Sequence, residues 1–334
     1  MKIKDIATLS GTSVATVSRV MNDDPRVRPV TRQKVLEVIT STGYKPNYMG
    51  RNLRKLKSNV ILALVPTLAN QIYARLLHGV EEKAMEYGYE LVITVTHRKS
   101  EIEKKQLDML YTKEADGAIT FMSFLDDEYL EATAQKFPLV LCSGTSQCDS
   151  LSYTCINNEE AAYDATRHLL KLGHRFIARL NSTFSPIYEE ERKKGFRRAM
   201  EEAGLQIDSC YLFNDGYSYH DGYAYTQKLM ELPAPPTAIL AFSDTIAAGC
   251  IKYLVDHGIR PGIDVDVMGF DNIDLGEIIT PSLSTISMPL HELGEIAFDL
   301  LRDKMENIHS MRKGIIVDHK LVLRDSTRKL GDPV

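Results

Sequence analysis

The sequence lacks any apolar run long enough to cross a bilayer, and its first residues, Met1-Lys2-Ile3-Lys4-Asp5, lack the apolar stretch of a secretory leader. These absences argue against a membrane protein and an exported one, and the expected compartment is the cytoplasm. Cysteine is scarce. The five residues, Cys142, Cys148, Cys155, Cys210 and Cys250, are odd in number and form no CxxC pair or Cys/His spacing suited to zinc. That pattern argues against a disulfide framework and leaves buried free thiols, as in a reducing compartment. Catalytic signatures are missing too: there is no GxSxG, no P-loop, no HExxH, and no GxGxxG after the first candidate strand. His97, His174, His220 and His291 fall in separate segments and look unpaired. No enzyme, cofactor or metal site is expected.

What is present is an ordinary globular composition, 44% hydrophobic and 25% charged, in a chain of 334 residues, long enough for two or three domains. The net charge of −5 hides an asymmetry. Residues 1–58 carry 12 Lys or Arg against 4 Asp or Glu, and the remainder carries 28 against 41. A basic head on an acidic body fits a head that meets phosphates; charge alone fits a merely solvated basic domain equally well.

Within the head, Ile3, Ile6, Ala7 and Leu9 recur at helical spacing, so residues 4–9 read as a short amphipathic helix. Ser10-Gly11-Thr12 breaks it, with Gly11 suited to a positive φ. Ser13 is placed to cap a second helix to residue 21, in which Val17 and Val20 face the first. A third helix is expected over 30–42, with Val35, Leu36, Val38 and Ile39 as its apolar face. Two short helices, a turn and a packed third helix make a helix-turn-helix domain. Its second helix would present Val14, Ala15 and Thr16 to base edges, with Arg19 long enough to fork onto guanine. Ser13 and Thr16 are placed to hold phosphates. A three-helix bundle with no DNA role is the alternative.

Residues 43–58 follow, Gly-Tyr-Lys-Pro-Asn-Tyr-Met-Gly-Arg-Asn-Leu-Arg-Lys-Leu-Lys-Ser. Asn47 is placed to cap a short basic helix with little core to fold against, which is marginal in water by itself. The segment fits a minor-groove element with an apolar wedge, or an ordinary solvated linker. From Asn59 onward strand and helix patterns alternate. Apolar runs mark strands at 60–65, 91–95, 117–121, 139–141, 176–180, 238–242 and 265–270, with helices expected at 72–87, 102–111, 159–172 and 191–203. This is an α/β architecture of two consecutive doubly wound parallel sheets, which leaves a ligand cleft between lobes.

The motifs Lys4-Asp5-Ile6-Ala7, Gly11-Thr12-Ser13 and Thr16-Val17-Ser18-Arg19-Val20-Met21-Asn22 closely resemble the opening signature of the lactose-repressor (LacI/GalR) family. Gly43-Tyr44-Lys45-Pro46-Asn47 through Arg51 and Leu53 resembles that family's hinge helix. Further matches follow in family order: Leu172-Gly173-His174-Arg175, the helix start at 191–196, Pro236-Thr237-Ala238-Ile239, Ser243-Asp244, Gly269-Phe270-Asp271-Asn272 and Pro281 through Ile286. The resemblance implies a helix-turn-helix domain over 1–45, a hinge over 46–58 and a periplasmic-binding-protein-like core over 59–328. Its N-lobe would comprise 59–156 plus 288–313, and its C-lobe 157–287 plus 314–328. It implies DNA contacts by Ser13, Val14, Ala15, Thr16, Ser18, Arg19, Asn22, Tyr44, Asn47, Arg51, Leu53 and Arg54, with Leu53 wedged into a central base step. Two departures stand out: Gly50 replaces the usual Ala, and Arg28-Pro29 replaces a capping Ser.

The resemblance also implies effector contacts by Arg192, Asp244 and Asp271, by Asn70 and Tyr73 after the first strand, and by Tyr217, where a ring can stack on a ligand face. Ser143 stands where an acidic residue is frequent, and Gln71 where Pro is usual. His97 and Arg98 either face the cleft, favouring an anionic ligand, or lie on a solvated loop. The expected activity is that of an allosteric repressor of carbohydrate-utilisation genes, bound as a homodimer to double-stranded DNA at a pseudo-palindromic operator and answering to a sugar or sugar phosphate. A secreted solute-binding protein is the rival with the same core.

Overall fold

The structure, a computed structural model, describes residues 1–21, 23–44, 57–182, 186–216 and 218–328. The chain divides into two compact units, Met1–Ser58 and Asn59–Val334.

In the first unit, α1 (Ile3–Ser10), α2 (Val14–Met21) and α3 (Pro29–Thr42) pack on a small core of Ile6, Ala7, Val17, Val20 and Val35. The backbone N–H of Lys2 donates to Asp5 Oδ2 at 2.6 Å, fixing the start of α1. Gly11 ends that helix at φ 62, as its place in the turn requires. Ser13 Oγ accepts the N–H of Thr16 at 3.1 Å and so caps α2. α3 begins with Pro29 at its first turn and no side-chain cap from Arg28. The expected apolar face of α3 is narrower than its sequence suggests. Val35 is buried and Val38 and Ile39 pack against the core, whereas Leu36 is exposed. Packing among three short helices covers only one stripe of each.

The second unit holds two six-stranded sheets. The first is ordered β11-β5-β4-β3-β1-β2 and the second β12-β10-β9-β8-β6-β7. The first contains β1 (Val60–Val65), β2 (Glu90–Val95), β3 (Gly117–Thr120), β4 (Leu139–Cys142), β5 (Ser152–Ile156) and β11 (Gly314–Val317), all parallel. The second contains β6 (Ile177–Leu180), β7 (Leu212–Phe213), β8 (Ala238–Ala241), β9 (Asp266–Asp271), β10 (Ser284–Ser287) and β12 (Lys320–Val322), with only β12 antiparallel. Strands such as β3, β4 and β8 are buried throughout, the near-continuous apolar pattern of sheets covered on both faces.

Helices α4 (Gln71–Glu86), α5 (Ser100–Tyr111) and α6 (Asp127–Ala134) follow strands of the first sheet. Helices α7 (Asn158–Lys171), α8 (Pro186–Glu202), α9 (Tyr219–Met230), α10 (Asp244–Asp256) and the single turn α11 (Leu275–Ile278) follow in the second lobe. α12 (Leu290–Glu306) returns to the first lobe and packs along α4. The chain therefore passes between lobes three times, before α7, before α12 and between β11 and β12. This corrects the lobe division read from the sequence. Residues 314–317 were expected in the C-lobe, but β11 pairs with β5 in the first sheet, and the last crossing falls at 318–319. The misplacement has a simple origin: β11 and β12 are short strands separated by two residues, with no turn signal that shows which sheet each joins.

Candidate functional site

On α2, Val14, Ala15 and Arg19 are exposed while Val17 and Val20 are buried, so one face is free for a partner and the other holds the head together. Ser13 is exposed and its hydroxyl lies 2.9 Å from that of Thr16, which ties Thr16 to the cap. Ser18 is half-buried. The loop after α2 is fixed by charge. Arg26 pairs with Asp24 at 2.7 Å, and Arg32 with Asp23 at 2.6 Å. The Arg26 guanidinium holds Asp24 down at about 2. Tyr44, expected to meet DNA, packs against the head's core. Asn22, Asn47, Arg51, Leu53 and Arg54 lie outside the described residues, as do Gly50 and Tyr217.

In the second unit the expected effector residues fall at strand ends and helix starts. Arg192, on α8, is buried. Its Nε donates to Asn158 Oδ1 at 3.0 Å and its Nη1 to the Phe242 carbonyl at 2.7 Å. Its guanidinium lies over two rings, 3.4 Å from the Phe270 centroid and 4.4 Å from that of Phe242. Burial pulls its pKa down to about 10, opposed by Asp271, so the group keeps its charge at neutral pH. The space bounded by Arg192, Asn181, Phe242 and Phe270 measures only about 10 Å³. A far larger cavity of about 850 Å³ opens on the flank of α8, lined by Arg179, Glu189 and Arg197, but it includes none of the expected effector residues. The expected buried polar groups converge on the position around Arg192 and not on this flank, and the chemistry of recognition resides in such groups.

Asp271 ends β9 at φ 114, a left-handed conformation that β-carbon sterics disfavour. It is buried, and burial pushes its carboxyl well above the ordinary range; Arg192 pulls it down and Asp244 pushes it further up. Asp244 has protein partners for both oxygens. Oδ1 accepts from Thr285 Oγ1 at 2.6 Å and Oδ2 from the Ile273 N–H at 2.8 Å. Burial pushes it up to about 7. Gly269 makes this approach possible, because a Cβ there would meet Asp244 Oδ1 at 2.3 Å. Asp244 thus ties the start of α10 to β10 and to the segment following Asp271.

From the first lobe, Asn70 caps α4 by accepting the Ile72 N–H at 3.1 Å. Tyr73, one turn in, is buried with its ring edge-on to Phe121 at 6.4 Å. Burial raises its pKa, followed by the fields of Tyr188 and Asp271, with Arg98 opposing. Tyr73 therefore stands within electrostatic reach of second-lobe groups. Ser143 is buried just beyond β4 at φ 60 and bonds the hydroxyl of Tyr188 from the other lobe. His97 is exposed at φ 52 on the loop after β2, beside Arg98, whose charge reaches Tyr73. The structure brings together Tyr73, Ser143, Arg192 and Asp271, with Asp244 behind them.

Sequence reasoning missed Tyr188, Asn158 and Arg75. α8 starts at Pro186, five residues before its expected start, which moves Tyr188 from a presumed loop onto the cleft face. Arg75, on α4, donates through Nη1 to the Asn272 carbonyl at 3.0 Å and pairs through Nη2 with Asp274. Arg324 holds the same segment through Asn272 Oδ1 at 2.9 Å and Glu277 at 2.7 Å. Two histidines expected to be unpaired are not. His174 bridges Thr237 at 2.9 Å and Asp266 at 2.8 Å in the C-lobe core, and His291 meets Glu82 at 2.7 Å. Both partners are distant in sequence.

Residues 2–47 match the family of bacterial regulatory proteins of the lacI type, and residues 58–323 match periplasmic binding proteins and the sugar binding domain of the LacI family. The chain belongs to the LacI family. Catabolite control protein A of Priestia megaterium is 32% identical over 329 residues, covering 98% of this chain and 99% of that protein. The HTH-type transcriptional repressor CytR of Escherichia coli K12 is 31% identical over 98% of this chain and 96% of its own. The Lac repressor dimer bound to operator and the anti-inducer ONPF superposes with a TM-score of 0.87 at 24% identity, covering 98% and 99% of the two chains, a likeness that establishes the fold. LacI-family proteins are DNA-binding transcriptional regulators with an effector domain, not enzymes. Among the described residues no helix is long and apolar enough to cross a membrane. The exposed stripe of α2 is the candidate DNA-reading surface, and the interlobe set is the candidate effector site.

Proposed function

We propose that this LacI-family regulator acts in the cytoplasm as a homodimeric repressor of carbohydrate-utilisation genes. It binds a pseudo-palindromic operator through Ser13, Val14, Ala15, Thr16, Ser18 and Arg19 of each head. Two heads read two half-sites, so the symmetry of the dimer is matched by that of the DNA. The sign of regulation follows the repressor relatives. The effector is a sugar or sugar phosphate held between lobes by Tyr73, Ser143, Arg192 and Asp271. A buried guanidinium and a buried carboxyl suit a ligand rich in hydroxyls, which can accept from the one and donate to the other. Asn70 and Asp244 act one step back, as a helix cap and as the anchor of the segment carrying Asp271.

The observation that carries this reading is the Arg75 clasp. The segment that bears Asp271 is gripped by α4 of the other lobe, so an effector that moves Asp271 also changes how the lobes meet. The test is operator binding by fluorescence anisotropy across a panel of sugars and sugar phosphates, with Asp271→Ala and Arg192→Ala as variants. A compound that changes operator affinity for the parent and not for these variants supports the reading. A ligand response retained by both variants overturns the site.

A further inference from the structure

Outside the cleft, packing of α4 against α12 assembles a cluster that sequence spacing hides. His78 and Glu82 are one helical turn apart on α4 and share a face. His291, 209 residues beyond Glu82, is the second residue of α12. His78 Nε2 lies 3.5 Å from Glu82 Oε1, and His291 Nε2 lies 2.7 Å from Glu82 Oε2. One donor atom from each residue falls within 4.8 Å of the others, and the two imidazole centroids are 5.1 Å apart. We propose that His78, Glu82 and His291 form a binding site for a divalent transition-metal cation, with zinc the best match.

Two imidazoles and one carboxylate are a donor set zinc favours, and a tetrahedral zinc takes ligands at about 2.0–2.2 Å, placing their donor atoms roughly 3.3 Å apart. The two His–Glu separations, each to a different oxygen of Glu82, fall on either side of that value, and the two imidazole donors lie within 4.8 Å of each other. His291 also carries the support expected of a metal-binding histidine. While Nε2 faces the cluster, Nδ1 points toward Glu295 Oε2 at 3.6 Å, a carboxylate placed to orient the ring once a cation draws the site together.

The backbone beneath the ligands is fixed. A Cβ at Gly79 would meet the His291 carbonyl at 2.1 Å, and one at Gly294 would meet the Leu76 carbonyl at 2.1 Å. These reciprocal notches seat each helix directly on the other, so the backbone positions from which His78 and His291 project follow from packing. A cavity of about 740 Å³ lined by Arg75, His78, Met288 and His291 leaves the remaining coordination position open to water or to an anion. Arg75 is one turn before His78 on the same helix, and its guanidinium is engaged by Asn272 and Asp274. A cation joining α4 to α12 therefore stiffens the helix that grips the effector segment.

The test uses the full-length protein freed of metal by chelation. Zinc is titrated calorimetrically, in a Cys210→Ser background because Cys210 is an exposed thiol that offers zinc a competing ligand. One zinc per chain is expected, with His78→Ala and His291→Ala each weakening it more than about tenfold, and Glu295→Gln weakening it to a smaller degree. Cobalt added in place of zinc gives a visible absorption band of tetrahedral form that both histidine variants lose. His309→Ala, an exposed histidine outside the cluster, serves as the control for non-specific uptake. Circular dichroism of the metal-free variants shows that they remain folded. Zinc affinity unchanged by His78→Ala and His291→Ala together, or no stoichiometric binding, overturns the site.

Discussion

Arg192 lies on the face of Phe270 at 3.4 Å, and the residue that follows Phe270 is Asp271, the carboxyl whose charge Arg192 most directly favours. One ring thus holds the cation in place while the strand end beside it presents the anion. Burial disfavours both charges, and each partly relieves the other. The pair is poised to respond to a ligand that supplies hydrogen bonds.

Effector affinity depends on pH through Asp271. Its free-protein pKa is raised, chiefly by burial, so below that pKa the group carries a proton. Ligand hydroxyls donating to it favour the ionised form and lower the pKa, so binding releases a proton. Affinity for a neutral sugar should therefore rise with pH up to the free-protein pKa and then level off. Calorimetry in buffers of different ionisation enthalpy, over about two pH units either side of neutrality, reads the proton count. Affinity that falls with rising pH would mean that Asp271 acts as a donor to the ligand. Asp271→Asn should flatten the slope, leaving only the contribution of Asp244, which burial pushes up to about 7.

Arg75→Ala should separate binding from response. Effector affinity measured without DNA stays near that of the parent, because Arg75 grips backbone and Asp274 behind the pocket. The effector-induced change in operator affinity shrinks by a coupling of about 1–3 kcal/mol. An unchanged operator response shows that the clasp does not carry the signal.

Arg19 is the long donor on the exposed stripe of α2. Arg19→Ala should weaken operator binding by about 1–3 kcal/mol while changing affinity for random duplex much less. Equal losses on both duplexes, compared at one salt concentration, would assign Arg19 to the phosphate backbone.

Gly269→Ala should destabilise the second lobe by about 1–3 kcal/mol, as expected for overpacking, because its methyl group would meet Asp244 Oδ1 and Leu283 Cδ2 at 2.3 and 2.8 Å. Denaturant unfolding measures this loss. In a cycle with Asp244→Ala the two losses should be less than additive, since removing the carboxylate relieves the clash. Strict additivity would show that the two residues do not touch.

Apolar periodicity was enough to mark the described helices of the head, because those helices are short, separated by turn residues and buried on one stripe; Val17 and Val20 inside with Ala15 and Arg19 outside follow from spacing alone. It also marked the central strands, whose burial on both faces leaves an unbroken apolar run such as Val60–Val65. Short strands such as β7, β11 and β12 carry too few residues for a pattern, and their sheet membership was not readable. Arg192 and Asp271 were legible through family motifs. Tyr188 was not, because a helix start five residues early changed its surroundings.

The sequence by itself determined which stripe of α2 is exposed, the α/β class and the identity of the buried Arg192 and Asp271, because each depends on local periodicity or on a contiguous motif. Tertiary structure alone decided which distant groups meet. Arg75 reaches Asn272 and Asp274 across the lobes, and His291 reaches Glu82 across 209 residues. Such contacts depend on how whole helices seat against one another. On α4 and α12 that seating is set by the missing side chains of Gly79 and Gly294, which let one backbone rest on the other.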